Sequence, residues 1–339
     1  MNRLLNCRVG RRGFLRAAMM GGVGLLSPAV FGGAAASAQQ RPFAWGSASL
    51  GSSGYMRIEA FVATVNKYTK IRNSSMSTAG GGENLALIGQ RVIDFGQSSS
   101  SDWGPALKGQ PPFSAPVDAV QTFCYGFQHM GPIVRADSDI KTIADLEGRR
   151  VTPSTSGGSG NIMMNTLLEA AGLKGKVQYT FGSWRESFDA LRTGAVDCSL
   201  AFLNSGRPSS LLTELEASVK VRPLEVPPDV LKKMNEINPG VFASALTPAA
   251  WKSIDKDCNF PALSLVLAAN PQLDEEKVYQ VVKDIYDNEK EVRAFGAHLA
   301  DILIDFAPKY LMPRIPVHKG AVRYFKEKNV WRDDLVIAN

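Results

Sequence analysis

Four stretches rich in serine, threonine and glycine stand where a small polar molecule could be held: residues 47–54, 78–84, 97–101 and 153–161. Each follows a strand-like run and precedes a helical one. At such a junction the unpaired N–H groups of the helix start favour a carboxylate, sulfate or phosphate. Glycine lets the backbone approach a ligand closely, and hydroxyls add adjustable donors and acceptors. One Gly-Ser turn before a helix is an ordinary N-cap, but four in equivalent positions point to a shared site. The catalytic inventory is sparse by comparison. His129, His298 and His318 stand at no metal-ligand spacing, and neither a G-x-S-x-G elbow nor a G-x-x-x-x-G-K-[ST] phosphate loop occurs. Gly80-Gly81-Gly82 could pass for part of an oxyanion loop, yet no serine with a partnered base accompanies it. A binding protein without cofactor or metal is expected, not an enzyme.

The elements that must position these loops alternate. A strand at 42–48 leads through the first loop to apolar residues at Tyr55, Ile58, Phe61, Val62 and Val65, a helical period. Residues 71–76 read as extended before a helix from Glu83, and Val92–Gly96 as a strand before Gln97. Later, Thr142 and Asp145 have capping-box-like spacing, Arg149–Thr152 is a strand, and 161–171 is a helix stopped by Gly172. Val177–Phe181 is extended, 185–193 is an amphipathic helix ended by Gly194, and Val196–Phe202 is a further strand. Residues 274–306 are mostly helical. Short strands alternating with helices predict an α/β fold with largely parallel sheet.

The amino-terminal segment is an address. Gly10-Arg11-Arg12-Gly13-Phe14-Leu15-Arg16, an apolar run from Ala17 to Phe31, and Ala36-Ser37-Ala38 read as a twin-arginine export signal cleaved before Gln39. The chain carries 38 basic and 32 acidic residues, a net +6; removing the five arginines of residues 1–38 leaves 33 against 32, a net +1. A near-neutral remainder argues against nucleic acid as a partner. Cys124, Cys198 and Cys258 allow at most one disulfide and no thiolate metal cage.

Several segments resemble the TAXI-type solute-binding subunits of tripartite ATP-independent periplasmic (TRAP) transporters, over almost the whole processed chain. They are Gly46–Tyr55, Thr78-Ala79-Gly80-Gly81-Gly82-Glu83-Asn84-Leu85, Val92–Ser98, Ile140–Val151 with its D-L-x-G-R-R-V core, and the closing Pro316–Glu327. The first loop departs from that family in being serine-rich with Leu50 and Met56, and Lys319 stands where proline is usual. The resemblance implies a type II periplasmic binding protein fold: two lobes, each a mostly parallel sheet flanked by helices, joined by crossing hinge strands. It also implies an organic acid or amino acid such as glutamate as ligand, and membrane permease subunits as partner.

On this reading residues 1–38 are the signal, 39–126 with 227–339 form lobe 1, and 127–226 form lobe 2. The hinge falls near 123–127 and 222–225. Ser52, Ser53 and Tyr55 contribute from lobe 1, with Ser98, Ser99 and Ser100 on its rim. From lobe 2 come Ser156, Gly158, Ser159 and Gly160, with Asn204 and Ser205 beside them. Trp184 and Arg185 cover the ligand or pair with its carboxylate, or alternatively serve as core packing and as an exposed partner of Asp189. A periplasmic monomer is expected. Two other outputs fit the same residues: a receptor feeding a membrane sensor kinase, and a periplasmic hydrolase.

Overall fold

The computed structural model describes residues 41–339; the export signal read over 1–38 lies outside the described residues. The strand–loop–helix alternation is present: β1 (Phe43–Gly46), α1 (Ser53–Tyr68), β2 (Asn73–Met76), α2 (Gly81–Gly89), β3 (Phe95–Ser99) and α3 (Ser100–Lys108) follow in order. The Ser52 hydroxyl accepts the Tyr55 N–H to start α1, whose buried residues Gly54, Arg57, Ile58, Phe61 and Val65 repeat at three and four. The stretch 97–101 is not a loop. Gln97, Ser98 and Ser99 belong to β3, and Ser100 begins α3 at once, because an antiparallel neighbour extends the pairing to Ser99.

That neighbour is one of two long central strands. β4 (Val120–Arg135) has 16 residues, a span of roughly 50 Å at about 3.3 Å per residue. After it come β5 (Arg150–Thr152), α4 (Ser159–Ala170), β6 (Gln178–Tyr179), α5 (Trp184–Thr193), β7 (Cys198–Asn204), β8 (Arg207–Pro208), α6 (Ser210–Ser218) and β9 (Val221–Pro223). The chain continues through α7 (Pro228–Ile237), β10 (Phe242–Leu246), β11 (Cys258–Ala269), α8 (Glu275–Asp287), α9 (Glu289–Ala294) and α10 (Lys319–Glu327).

The strand order is β2-β1-β3-β11-β4-β7-β5-β6. β1 pairs in parallel with β2 and β3, and β5 with β6 and β7. Between these parallel wings β11 and β4 run antiparallel to their neighbours. The first half of β4 lies along β11 from Val120 to His129, and its second half along β7 from Gln128 to Ile133. Register shifts at Leu265/Val266 and Leu267/Ala268 interrupt the β4–β11 ladder, and such bulges bend a strand and sharpen its twist. The chain therefore has an α/β fold, a mixed sheet with flanking helices. The segment near 222–225 is not beside 123–127, however. β9 pairs with Ile133–Arg135 at the far end of β4, and β11 occupies the place beside 123–127.

Cys124 and Cys198 are buried, Cys258 is partly buried, and all three are free thiols. Burial pushes the thiols of Cys124 and Cys198 up to about 12. Among the described residues no helix is long and apolar enough to cross a membrane.

Candidate functional site

The carboxyl ends of β1, β3 and β5 converge on one small cavity with about 40 Å³ free, room for roughly three waters. The loop after β1 supplies Ala48 and Ser52, the start of α1 supplies Gly54 and Arg57, and the loop before α2 supplies Ala79 and Gly80. β3 gives Gln97, Ser98 and Ser99, and β4 gives Gln128 and Met130. From beyond β5 come Ser154, Thr155, Ser159 and Gly160; Trp184, Phe202 and Leu265 complete an apolar wall.

Arg57 is the one charged residue in that lining, and it is only 2% exposed. It sits on the buried stripe of α1, one turn inside the helix, so the backbone that forms the serine loop also aims the guanidinium at the cavity. Its Nε donates to the His298 carbonyl oxygen at 2.9 Å and its Nη2 to Asn204 Oδ1 at 2.6 Å. Both acceptors are neutral. Burial lowers the guanidinium to about 10, opposed by the nearby Tyr125 and Asp301. A buried cation held by neutral oxygens retains unused N–H donors in a fork that matches a carboxylate or sulfonate.

Asn204 organises the back of this fork. It also accepts from Gln128 Nε2 at 3.0 Å and donates to Ser53 Oγ at 2.9 Å. Ser53 and Asn204 thus hold Arg57 and do not themselves line the cavity. Two buried polar atoms of lining residues, Gln97 Oε1 and Ser154 Oγ, have no hydrogen-bond partner within the protein. Such groups are costly unless a water or ligand meets them.

Six residues read from the sequence as site residues come together here: Ser52, Ser98, Ser99, Ser159, Gly160 and Trp184. The others lie elsewhere. Ser100 accepts from the Ser264 N–H and donates to the Gly240 carbonyl, joining α3 to the central sheet. Tyr55 is half-buried outside the lining, and Ser156 is exposed on an outer groove beside Phe181. Gly158 lies so close to the Ala79 carbonyl that no side chain fits. Arg185 is exposed outside the cavity lining, paired with Glu214 at 2.7 Å and with the Asp189 charge nearby. Ser205 is bonded to the Asp301 carboxylate. Arg57 and Gln128 lie outside the stretches read from the sequence, while Gln97, Ser154 and Thr155 lie within 97–101 and 153–161 but were not picked out there as contacts. An arginine on the apolar stripe of α1, between Gly54 and Ile58, was the available signal.

Of the segments behind the family resemblance, Ile140–Val151 and Pro316–Glu327 lie outside the cavity lining and serve the scaffold. His318 caps α10, its Nδ1 accepting from the Gly320 N–H at 3.2 Å while its Nε2 meets the Leu273 carbonyl at 3.1 Å. Asp145 accepts from the Lys141 and Thr142 N–H groups.

Solved structures similar to the chain include the periplasmic aliphatic sulphonate binding protein SsuA from Escherichia coli, at 17% identity and TM-score 0.44, covering 88% of this chain and 96% of that one. SsuA from Xanthomonas axonopodis pv. citri bound to MOPS has 12% identity and TM-score 0.46, with 89% and 98% covered. A putative L-cystine ABC transporter protein from Listeria monocytogenes has 10% identity and TM-score 0.48, with 80% and 100% covered. The sequence pattern of the NMT1-like family matches residues 46–328, from the end of β1 through α10. By that match, the chain belongs to the NMT1-like family.

Proposed function

We propose that the chain is a periplasmic solute-binding receptor that captures a small organic acid between two lobes and delivers it to a membrane permease. The observation that carries this reading is Arg57: a buried guanidinium facing a small polar cavity, its bonds made only to neutral acceptors. Lobe 1 takes in residues 39–126 and 227–339 and lobe 2 residues 127–226, with β4 crossing between them. The cavity walls come from both lobes, so an anion bridging Arg57 to the loop after β5 favours closure. Four lining hydroxyls, Ser98, Ser99, Thr155 and Ser159, donate to backbone carbonyls or to Asp102 and none to a histidine, which supports a binding role over serine hydrolysis. The segments Ile140–Val151 and Pro316–Glu327 support a TAXI-type assignment and hence a TRAP permease as the partner.

The test is a thermal-shift and calorimetric screen of residues 39–339 against monocarboxylates, dicarboxylates, sulfonates and amino acids. A ligand at a hundredfold excess over its Kd stabilises the fold by about 2.7 kcal/mol. The reading expects at least one acid to do so and uncharged analogues to fail; no response to any acid overturns it.

A further inference from the structure

Behind the cavity wall, opposite no cation, lies a carboxylate with 0% exposure, Asp102 on α3. Its Oδ2 accepts from the Ser99 N–H at 2.7 Å and from the hydroxyls of Ser99 and Ser159, both at 2.9 Å. Ser99 and Ser159 both line the cavity. A hydroxyl has a single proton to give, so these two have spent theirs on Asp102 and turn lone pairs elsewhere. Two further lining hydroxyls are committed in the same way: Thr155 donates to the Ala79 carbonyl at 2.8 Å and Ser98 to the Val266 carbonyl at 2.9 Å. Ser98 and Ser99 have neighbours for their lone pairs in Trp103 Nε1 and Ser101 Oγ, which leaves Ser159 and Thr155 as the open acceptors. The unpartnered Gln97 Oε1 adds a third acceptor to the same lining. A cavity with a guanidinium among its donors and this group of spent hydroxyls is chemically two-sided. One side calls for an anion, and the other for a molecule that brings its own O–H or N–H.

Resting on the anion-receptor reading, we propose that Asp102 is a positioning residue that fixes the hydroxyl direction of Ser99 and Ser159, and that the site selects acids carrying a hydrogen-bond donor over acids of the same size without one. A buried acceptor left unmet by a ligand costs more than a missing contact, because water has already been expelled. Both hydroxyls and the Ser99 N–H meet the same oxygen, Oδ2, so an asparagine can hold all three through its amide oxygen, whereas an alanine removes the acceptor and frees both hydroxyls to point into the cavity.

The experiment titrates residues 39–339 calorimetrically with two matched sets: propionate, lactate and alanine; then butyrate, 2-hydroxybutyrate and 2-aminobutyrate. Within a set that binds, a donor-bearing member is expected to bind at least about tenfold tighter than the plain acid. Asp102→Ala should bring that ratio to within about threefold while circular dichroism stays that of the parent. If Asp102→Ala does not fold, Ser159→Ala, which deletes one open acceptor, should lower the ratio in the same direction. Equal affinities within a set overturn the donor requirement and leave the anion site standing. A ratio unchanged in the folded variants overturns the role of Asp102. Failure of all six acids to bind overturns this inference alone, since the anion reading also stands on the dicarboxylates and sulfonates of the wider screen.

Discussion

Replacing Arg57 by methionine separates binding from folding. In the ligand-free protein the substitution deletes two hydrogen bonds from a charged donor, to the His298 carbonyl and Asn204, worth roughly 1.5–3 kcal/mol each. It also removes a desolvated cation. The fall of the guanidinium from 12.5 to about 10 corresponds to a burial cost of about 3 kcal/mol at about 1.4 kcal/mol per pH unit. The two effects oppose each other, so the net loss of stability lies between zero and about 3 kcal/mol. Binding has no such offset. An anion held by two of the free N–H groups loses about 3–6 kcal/mol, or roughly a hundredfold to ten-thousandfold in Kd. Calorimetric titration with the tightest acid from the screen, paired with urea denaturation, measures both quantities. Arg57→Lys keeps the charge but loses the planar fork, and should fall between parent and methionine variant. An Arg57→Met protein that folds and binds within threefold of the parent refutes the reasoning.

Three further outcomes follow from particular contacts. The His129 imidazole, 2% exposed and bonded to Ser244, is lowered by burial from 6.5 to about 4. Below pH 6.5 the unfolded chain takes up a proton that the folded chain refuses until about pH 4, so stability drops across that window by up to about 3 kcal/mol. Denaturation curves of His129→Gln should lack that component, and parallel pH profiles of the two proteins would contradict it. Gly82 packs its α-carbon against the Gly157 carbonyl. Gly82→Ala should push the 155–159 loop away at a cost of about 1–3 kcal/mol, weaken ligand binding tenfold or more, and raise the radius of gyration of the liganded protein in small-angle scattering. Trp184 is the only one of the five tryptophans in the cavity lining, with its ring 4.5 Å from that of Phe202. A saturable fluorescence change on ligand addition should vanish in Trp184→Phe, and its persistence would move the site elsewhere.

Local grammar was easy to read where punctuation was strong. Gly172 and Gly194 mark the ends of α4 and α5 within two residues, and the apolar spacing from Tyr55 to Val65 marks the body of α1. Long-range pairing was not. Residues 258–269 carry no turn or period that announces the central antiparallel strand, and only their neighbours β3 and β4 define it. That same pairing turned 97–101 from a loop into a strand followed directly by α3. The serine-rich rim was legible as composition, but composition does not say which way a hydroxyl points. Ser100 faces Gly240 and Ser264, while Ser99 one residue earlier faces the cavity. Arg57 escaped because a helix face reads as apolar from its majority, and Asp102 because a carboxylate in a first turn looks like an ordinary cap. Both become informative only when burial shows what surrounds them.

Binding of an organic anion through Arg57 can be seen directly. The most direct measurement is a crystal structure of residues 39–339 grown with the tightest acid from the screen. An acid group is expected between α1 and the loop after β5, with an oxygen within hydrogen-bond distance of the Arg57 guanidinium. An acid bound outside this cavity, or within it but away from Arg57, would contradict the account.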